Sequence, residues 1–265
     1  MQADLDKSEA RLYSYIFKEK SILEGYRGSI AHNLHVPREA DNVFGVDDID
    51  TFGIYIFPLD YYISLEGYYH SKEVVDRKVE EDDVVKYELR KAFHLLSGCN
   101  PNIISFLWNR PDHYTHISNG GEILLGGKHL FLSRRRIRDA FSGYAYAQLC
   151  RLTEGAYKGY MGERRRAIVD QYGYDTKNAA TLLRLLRQGI EVLETGEIIT
   201  YREDDREFLI GVKTGQLSLA QVQDYAEREF KQLNEAFEKS SMPMDNDRTK
   251  INELLVKILR EESHI

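Results

Sequence analysis

The sequence contains few of the features that mark secreted, zinc-binding or membrane proteins. It has two cysteines in 265 residues, Cys99 and Cys150, which are too few for a disulfide framework or a cysteine-based zinc site. No run of eighteen apolar residues occurs, so we expect no membrane-spanning helix. Residues 1–20 are charged throughout and lack the apolar core of a signal peptide. These absences predict a protein of the reducing cytoplasm.

The remaining composition is that of an ordinary globular protein. Apolar residues make up 42% of the chain and charged residues 30%, and 265 residues are enough for one large domain or two modest ones. The first half shows a mixture of strand and helix patterns, whereas the chain after about residue 133 is mostly helical in pattern. We therefore predict an α+β protein, with a small mixed β-sheet and flanking helices in residues 1–133 and a helical domain in residues 134–265.

Charge is distributed unevenly along the chain. The net charge is −7, but the segment 134–166 holds nine basic and three acidic residues. An acidic chain binds long nucleic acid poorly, because neutralisation of phosphates dominates that affinity. The local basic segment could still hold a triphosphate or a short RNA end. The alternative is that "SRRRIR" and "GERRR" are simply solvated helix faces.

Local patterns place several elements. Strands are predicted at 21–27, 51–57 and 84–88, from their β-branched and aromatic residues. A helix is predicted over 8–20, and another ends at Gly98. Asn100 and Pro101 then fit the cap and first position of a further helix that runs to Trp108. Long helices are predicted near residues 133–152, 175–195, 218–239 and 247–262.

Three aspartates precede the second strand, in the stretch "VDDIDTFGIYIFP". Residues i and i+2 of a strand share a face, so Asp48 and Asp50 would lie roughly 7 Å apart at their Cα atoms. Two carboxylates this close repel each other, and a bound Mg²⁺ would remove the repulsion. Asp47 would point the other way. The alternative is an acidic loop ahead of a strand.

Gly28 and Ser29 follow the first predicted strand and are placed to open a helix. Backbone N–H groups at a helix start, together with a serine hydroxyl, form a cradle for phosphate. A phosphate cradle followed by a strand with paired carboxylates is the arrangement that nucleotidyl transfer needs.

The stretches "RGSIAHNL" and "DIDTFGIYI" resemble the signature of the DNA polymerase β-type nucleotidyltransferases. "DVVKYELRKAFHLLSGCNPNIISFLW" and "YGYDTKNAATLLRLLRQGIEVLETGEI" resemble segments of a bacterial and phage branch of predicted nucleotidyltransferases that is associated with RNA repair. Together the resemblance spans about residues 12–198. It implies transfer of an NMP from ATP or another NTP to an acceptor hydroxyl on RNA, with release of pyrophosphate.

The resemblance also implies roles for individual residues. Asp48, Asp50 and a third carboxylate would bind Mg²⁺, or alternatively Mn²⁺, and the third ligand is either Asp83 or Glu88. Asp83 precedes an apolar pair, as a ligand on a strand should, whereas Glu88 suits the start of the next helix. The predicted nucleotide-binding residues are the glycine and serine of the first motif and two basic residues of a later helix: Gly28, Ser29, Lys177 and Arg184. Lys177 and Arg184 are seven positions apart on one helix face, which could equally be the basic edge of an amphipathic helix.

Two features depart from the family pattern. The family usually has GSRAYG where this chain has "GSIAHNL", and the nineteen positions from Ser29 to Asp48 suggest an insertion in the loop between them. Two alternatives to RNA modification therefore remain open. The chain could transfer an NMP to a protein side chain, or it could bind nucleotide or RNA without catalysis.

Overall fold

Five strands form one mixed sheet in the order β3-β4-β2-β1-β5. The computed structural model describes residues 20–37, 49–63, 74–79, 82–153 and 163–263. The strands are β1 Ser21–Tyr26, β2 Asp50–Tyr55, β3 Val74–Val79, β4 Asp82–Glu88 and β5 Tyr114–Ile117. The β2–β4 pair is parallel, and the other three pairs are antiparallel.

The three strands that the sequence predicts, β1, β2 and β4, occupy the centre of the sheet. The two edge strands were not predicted. β3 has the sequence VVDRKV and β5 is the four-residue YTHI, so neither shows the alternating apolar pattern of a strand with one buried face. Short, polar edge strands are common because they discourage pairing with another chain.

Eleven α-helices lie in the described residues, and most of the described residues after 133 are helical. Their bounds are α1 Gly28–Ala31, α2 Leu59–Ile63, α3 Leu89–Ser97, α4 Pro101–Ile104, α5 Asn119–Gly126, α6 Arg134–Thr153, α7 Glu163–Tyr172, α8 Thr176–Thr195, α9 Arg206–Lys213, α10 Leu219–Lys239 and α11 Arg248–Ser263. Single 3₁₀ turns lie at Ser105–Trp108, Pro111–His113 and Lys128–Phe131. The predicted α+β class and the four long helices are confirmed; the helix predicted over 8–20 lies outside the described residues.

Local capping signals fix several helix ends. Asn100 caps α4 by accepting a hydrogen bond from the Asn102 amide at 3.0 Å, as predicted. The Asp175 carboxylate accepts from the Asn178 amide at 3.0 Å at the start of α8. Gly196 ends α8 with φ of +75°, in the left-handed region that glycine adopts without strain.

The hydrophobic core continues across the predicted division at residue 133. Phe93 of α3 and Phe141 of α6, on either side of the division, belong to one cluster of buried hydrophobic residues. Helix α11 packs against α5, where the Glu262 carboxylate accepts from the Gly120 amide at 2.7 Å and Glu261 accepts from Asn119 at 3.0 Å. The division into 1–133 and 134–265 stays a prediction, and the two parts share one core.

None of the helices in the described ranges combines the length and the apolar character needed to cross a bilayer.

Candidate active site

The turn after β1 brings the GS pair against the start of β2. Gly28 has φ of +63°, and Leu34 donates its backbone N–H to the Ser29 carbonyl at 2.7 Å, which closes the turn. A Cβ atom on Gly28 would lie 3.2 Å from Asp50 Cγ and within a forbidden distance of Asp50 Oδ2. Only glycine therefore satisfies both the backbone conformation and the close approach to the carboxylate.

Asp50 is the first residue of β2 and is held beside Arg27. The Arg27 amide donates to the Asp50 carbonyl at 2.9 Å, and the Arg27 guanidinium lies 4.0 Å from the Asp50 carboxylate. Both side chains are 32% exposed, so the ion pair is long and accessible to water and contributes little. The carboxylate can consequently change partners when a ligand arrives.

The parallel pairing of β2 and β4 determines which candidate for the third carboxylate lies near Asp50. Asp50 is the register partner of Asp83, so the backbones of the two residues lie on neighbouring strands at the same end of the sheet; the description of Asp83 is limited to its backbone. Glu88 lies five residues further along β4, roughly 16 Å away. Asp48 lies outside the described residues.

Glu88 has a structural role. Its side chain is buried, accepts a hydrogen bond from the Tyr62 hydroxyl at 2.7 Å, and caps α3 by accepting from the Lys91 amide at 3.1 Å. Both oxygens are used within the protein, which leaves Asp83 as the better candidate of the two predicted alternatives.

Asp50 is the carboxylate among the described side chains at this place that could contribute to a divalent-cation site. Among the side chains that the structure describes, no group of three His, Cys, Asp or Glu residues could hold a metal, and two of the three predicted carboxylates are not in that set. Asp50 presents hard oxygen donors beside a glycine whose missing Cβ leaves space at Oδ2. Mg²⁺ prefers such ligands and keeps part of its shell for water and phosphate.

Five of the predicted residues line one cleft of about 430 Å³. They are the two residues of the GS turn, the first residue of β2 and two basic residues of α8: Gly28, Ser29, Asp50, Lys177 and Arg184. The segment around α4 adds Asn102 and Asn109. The volume is within the range of small-molecule sites in proteins, so the structure brings these residues together where a nucleotide could bind.

The cleft is cationic although the chain is acidic. Arg27, Lys177, Arg184 and Lys213 line it, whereas Asp50 is the acidic residue among the described lining side chains. These residues give the cleft a formal charge of +3 in a chain of net charge −7. Such a concentration of positive charge in a concave site attracts polyanions.

Arg184 is nine-tenths buried at the cleft. Its guanidinium donates to the Gln188 side chain at 2.5 Å. Burial, with a further contribution from the Arg202 charge, lowers the pKa of Arg184 to about 10. The group is still charged at neutral pH, and an anion in the cleft would relieve the cost of burying it.

The chain matches the model of the RlaP family, described as "RNA repair pathway DNA polymerase beta family", over residues 44–257. The chain belongs to this family. The match contains Asp48, Asp50, Asp83, Lys177 and Arg184, and it begins after the GS turn. The family assignment therefore does not depend on the GS turn.

Two other comparisons add less. The comparison with curated proteins found no match. A nucleotidyltransferase-like protein from Exiguobacterium sibiricum 255-15 is similar in structure, with 11% sequence identity, 97% of this chain and 78% of that chain covered, and a TM-score of 0.28. A TM-score this low supports no conclusion about the present chain.

The residues that depart from the family's GSRAYG pattern bind the GS turn to the later part of the chain. His32 Nδ1 lies 3.0 Å from the Thr200 carbonyl, and Asn33, with φ of +57°, donates to the Arg202 carbonyl at 2.9 Å. Burial, with the Arg184 and Arg202 charges, keeps the pKa of His32 well below its usual value. The lowered pKa favours the neutral form of His32, which also lines the cleft.

Lys213 is a cleft residue that the sequence analysis missed. Its ammonium donates to the Leu34 carbonyl at 2.6 Å. A local signal was present, because Lys213 follows the buried Leu209 by four residues and so lies on the apolar face of α9. A lysine on a buried helix face is uncommon and often has a function.

The basic segment 134–166 is partly used within the protein. Arg134 donates to the Ser240 carbonyl at 3.0 Å, and Arg135 pairs with Asp245 at 3.4 Å. None of its described residues lines the cleft. Contact of this segment with RNA stays a prediction, and Arg134 is too involved in local structure to serve as a clean test of it.

Proposed function

We propose that the chain transfers a nucleotidyl group from an NTP to an acceptor hydroxyl, with release of pyrophosphate and with dependence on a divalent cation. The observation that carries this proposal is the shared cleft, in which the GS turn and Asp50 meet the cations of α8. Membership of the polymerase β-type RlaP family supports the same reaction class.

Each group has a distinct role in this proposal. Ser29 donates its hydroxyl to a phosphate oxygen, and Lys177 and Arg184 neutralise the β- and γ-phosphates and then the departing pyrophosphate. Asp48, Asp50 and Asp83 would hold Mg²⁺ or Mn²⁺. When bound, the cation supplies charge neutralisation at the phosphates and lowers the pKa of the acceptor hydroxyl.

The transfer is an in-line displacement. The acceptor hydroxyl loses its proton to water as its oxygen forms a bond to the α-phosphorus. The bond from that phosphorus to the bridging oxygen of the β-phosphate breaks, and the two outer phosphates leave as pyrophosphate. The protein contributes mainly positioning and electrostatic stabilisation, because phosphoryl chemistry asks for little covalent participation from side chains.

We propose RNA as the acceptor, since the family description places its members in RNA repair. An RNA end supplies the hydroxyl that the reaction needs. The segment 134–166 is the proposed contact surface beyond the cleft, through those arginines that remain exposed.

The test is transfer of label from each α-labelled NTP to RNA, with and without Mg²⁺ or Mn²⁺. Asp50→Asn should reduce cation-dependent transfer to background while the protein stays folded, because the substitution removes a charged ligand and keeps the shape. Asp204→Asn is the matched control, since Asp204 is exposed and does not line the cleft. Full transfer by Asp50→Asn would refute the metal-dependent mechanism. Label on protein instead of RNA would replace the acceptor and keep the reaction.

A further inference from the structure

Lys213 is the last residue of α9 and is almost entirely buried, at 8% exposure. It nevertheless lines the cleft. Among the described residues, the hydrogen-bond partner of its ammonium group is the Leu34 carbonyl, at 2.6 Å. An ammonium has three donors, so this single contact leaves donors that a ligand in the cleft could use.

No carboxylate of the described residues forms an ion pair with Lys213 or with Arg184. The neighbouring charge that affects the Lys213 ammonium is that of Lys177, which is also positive and lowers the pKa of Lys213. Arg184 has Gln188 as its side-chain partner. Buried charges are normally paired, since an unpaired charge in a protein interior is costly. Here two nearly buried cations, Lys213 and Arg184, share one cavity with the exposed Lys177. The Asp205 charge acts on Arg184 without an ion-pair contact, and the acidic lining residue Asp50 lies beside Arg27 instead.

We propose that Lys213 is a phosphate-binding residue that, with Arg184 and Lys177, forms a subsite for a triphosphate and discriminates against a monophosphate. The inference rests on the proposed function, because it assigns the polyphosphate tail of the NTP to the same cleft. Three cations match the charge of a triphosphate, whereas a monophosphate would leave at least one of them uncompensated.

The Leu34 contact links this subsite to the GS turn. The backbone N–H of Leu34 closes that turn by donating to the Ser29 carbonyl, and the Lys213 ammonium donates to the carbonyl of Leu34. A phosphate held by Lys213 is therefore held in fixed relation to Ser29. The Lys213 ammonium would therefore both hold the turn in place and neutralise charge on the ligand.

The ionisation of Lys213 provides a readout that a purely structural lysine would not give. Burial and the Lys177 charge lower the pKa of Lys213 to about 8. The other charged groups around the cleft are Lys177 and Arg184 on α8, and Arg27 and Asp50 near the turn. A polyphosphate opposite the ammonium raises its pKa, so binding above about pH 8 must take up a proton. The affinity should fall as pH rises through this range, because the free protein then loses the charge that the ligand needs.

The experiment measures binding of inorganic tripolyphosphate, ATP and AMP by calorimetry, with EDTA present so that divalent cations do not contribute. Lys213→Met should weaken tripolyphosphate and ATP by about tenfold or more, the effect of losing a charged hydrogen bond, and should change AMP binding much less. Lys231→Met, on the exposed face of α10, is the matched control and should bind as the wild type does.

Lys213→Arg provides the second measurement. Arginine keeps its charge to a higher pH than lysine does, so this variant should retain binding near pH 7. It should show a much smaller decline than the wild type between about pH 7.5 and 9.5. This comparison decides the matter even if Lys213→Met does not fold. Wild-type affinity that is flat across this range, or a folded Lys213→Met with unchanged affinity, would overturn the assignment of Lys213 alone. Failure of the wild type to bind any NTP would instead refute the proposed function.

Discussion

Replacing Gly28 with alanine tests the packing of the GS turn against Asp50. Gly28 has φ of +63° and its added Cβ would lie 3.2 Å from Asp50 Cγ, closer still to Oδ2. The left-handed conformation costs a residue with a Cβ about 1–2 kcal/mol. The contact adds a second cost, because the carboxylate or the turn must move.

The two costs can be separated with a matched variant. Gly196 has nearly the same conformation, with φ of +75°, and a Cβ added there meets nothing within 4 Å. Gly196→Ala should therefore lower the free energy of unfolding by about 1–2 kcal/mol and leave transfer unchanged. Gly28→Ala should lower it further and displace Asp50.

A displacement of about 1 Å in a reacting constellation can reduce the rate by about 100-fold, so we expect Gly28→Ala to lose transfer by at least that factor. Urea denaturation measures the stability of both variants, and incorporation of label from an α-labelled NTP measures transfer. Gly28→Ala that transfers as well as Gly196→Ala would show that the turn does not position the carboxylate.

Two further predictions concern the third carboxylate and the basic segment. Glu88→Ala should lower the free energy of unfolding, measured in urea, by about 1–3 kcal/mol, because it removes the α3 cap and a buried hydrogen bond. The affinity for NTP should stay unchanged. Loss of transfer with unchanged stability would instead identify Glu88 as a metal ligand. Replacing both Arg135 and Arg136 with alanine should reduce the slope of log K for RNA binding against log salt concentration by up to ~0.7 per lost contact on a single strand, without changing NTP affinity. Identical slopes for wild type and variant in filter binding would exclude RNA contact through these two residues.

Elements with strong local signals could be predicted from the sequence. The strands of the sheet centre have β-branched and aromatic runs, and the long helices have apolar residues at helical spacing. The cap at Asn100 and the helix-starting position of Glu88 follow from side chains that bond to backbone only two or three residues away. Such short-range interactions are visible in sequence because both partners lie within one turn.

The parts of the candidate site that could be predicted are those whose side chains have a charge suited to binding metal or phosphate. Asp50 was a candidate from its residue type and spacing, and Lys177 and Arg184 were candidates from the family resemblance. The structure places all three in one cleft with the GS turn. The parallel pairing that makes Asp83 the neighbour of Asp50 depends on a crossover between distant strands. No local pattern specifies which strands pair.

The contacts of the GS turn could not be predicted, because they join residues far apart in the chain. His32 and Asn33 depart from the family pattern, and they bind the carbonyls of Thr200 and Arg202. Backbone carbonyls have the same chemistry at every residue. A sequence therefore gives no indication of which carbonyl a distant side chain will reach.

These long-range contacts have a consequence for synthesis of the chain. The turn at residues 28–34 is made first, and its partners at Thr200, Arg202 and Lys213 follow 168 to 179 residues later. At roughly 5–20 residues per second, a ribosome needs roughly 8–36 s to cover that distance. The nascent chain has no complete nucleotide cleft during this interval, so a truncated product that ends before Thr200 should neither bind NTP nor transfer label.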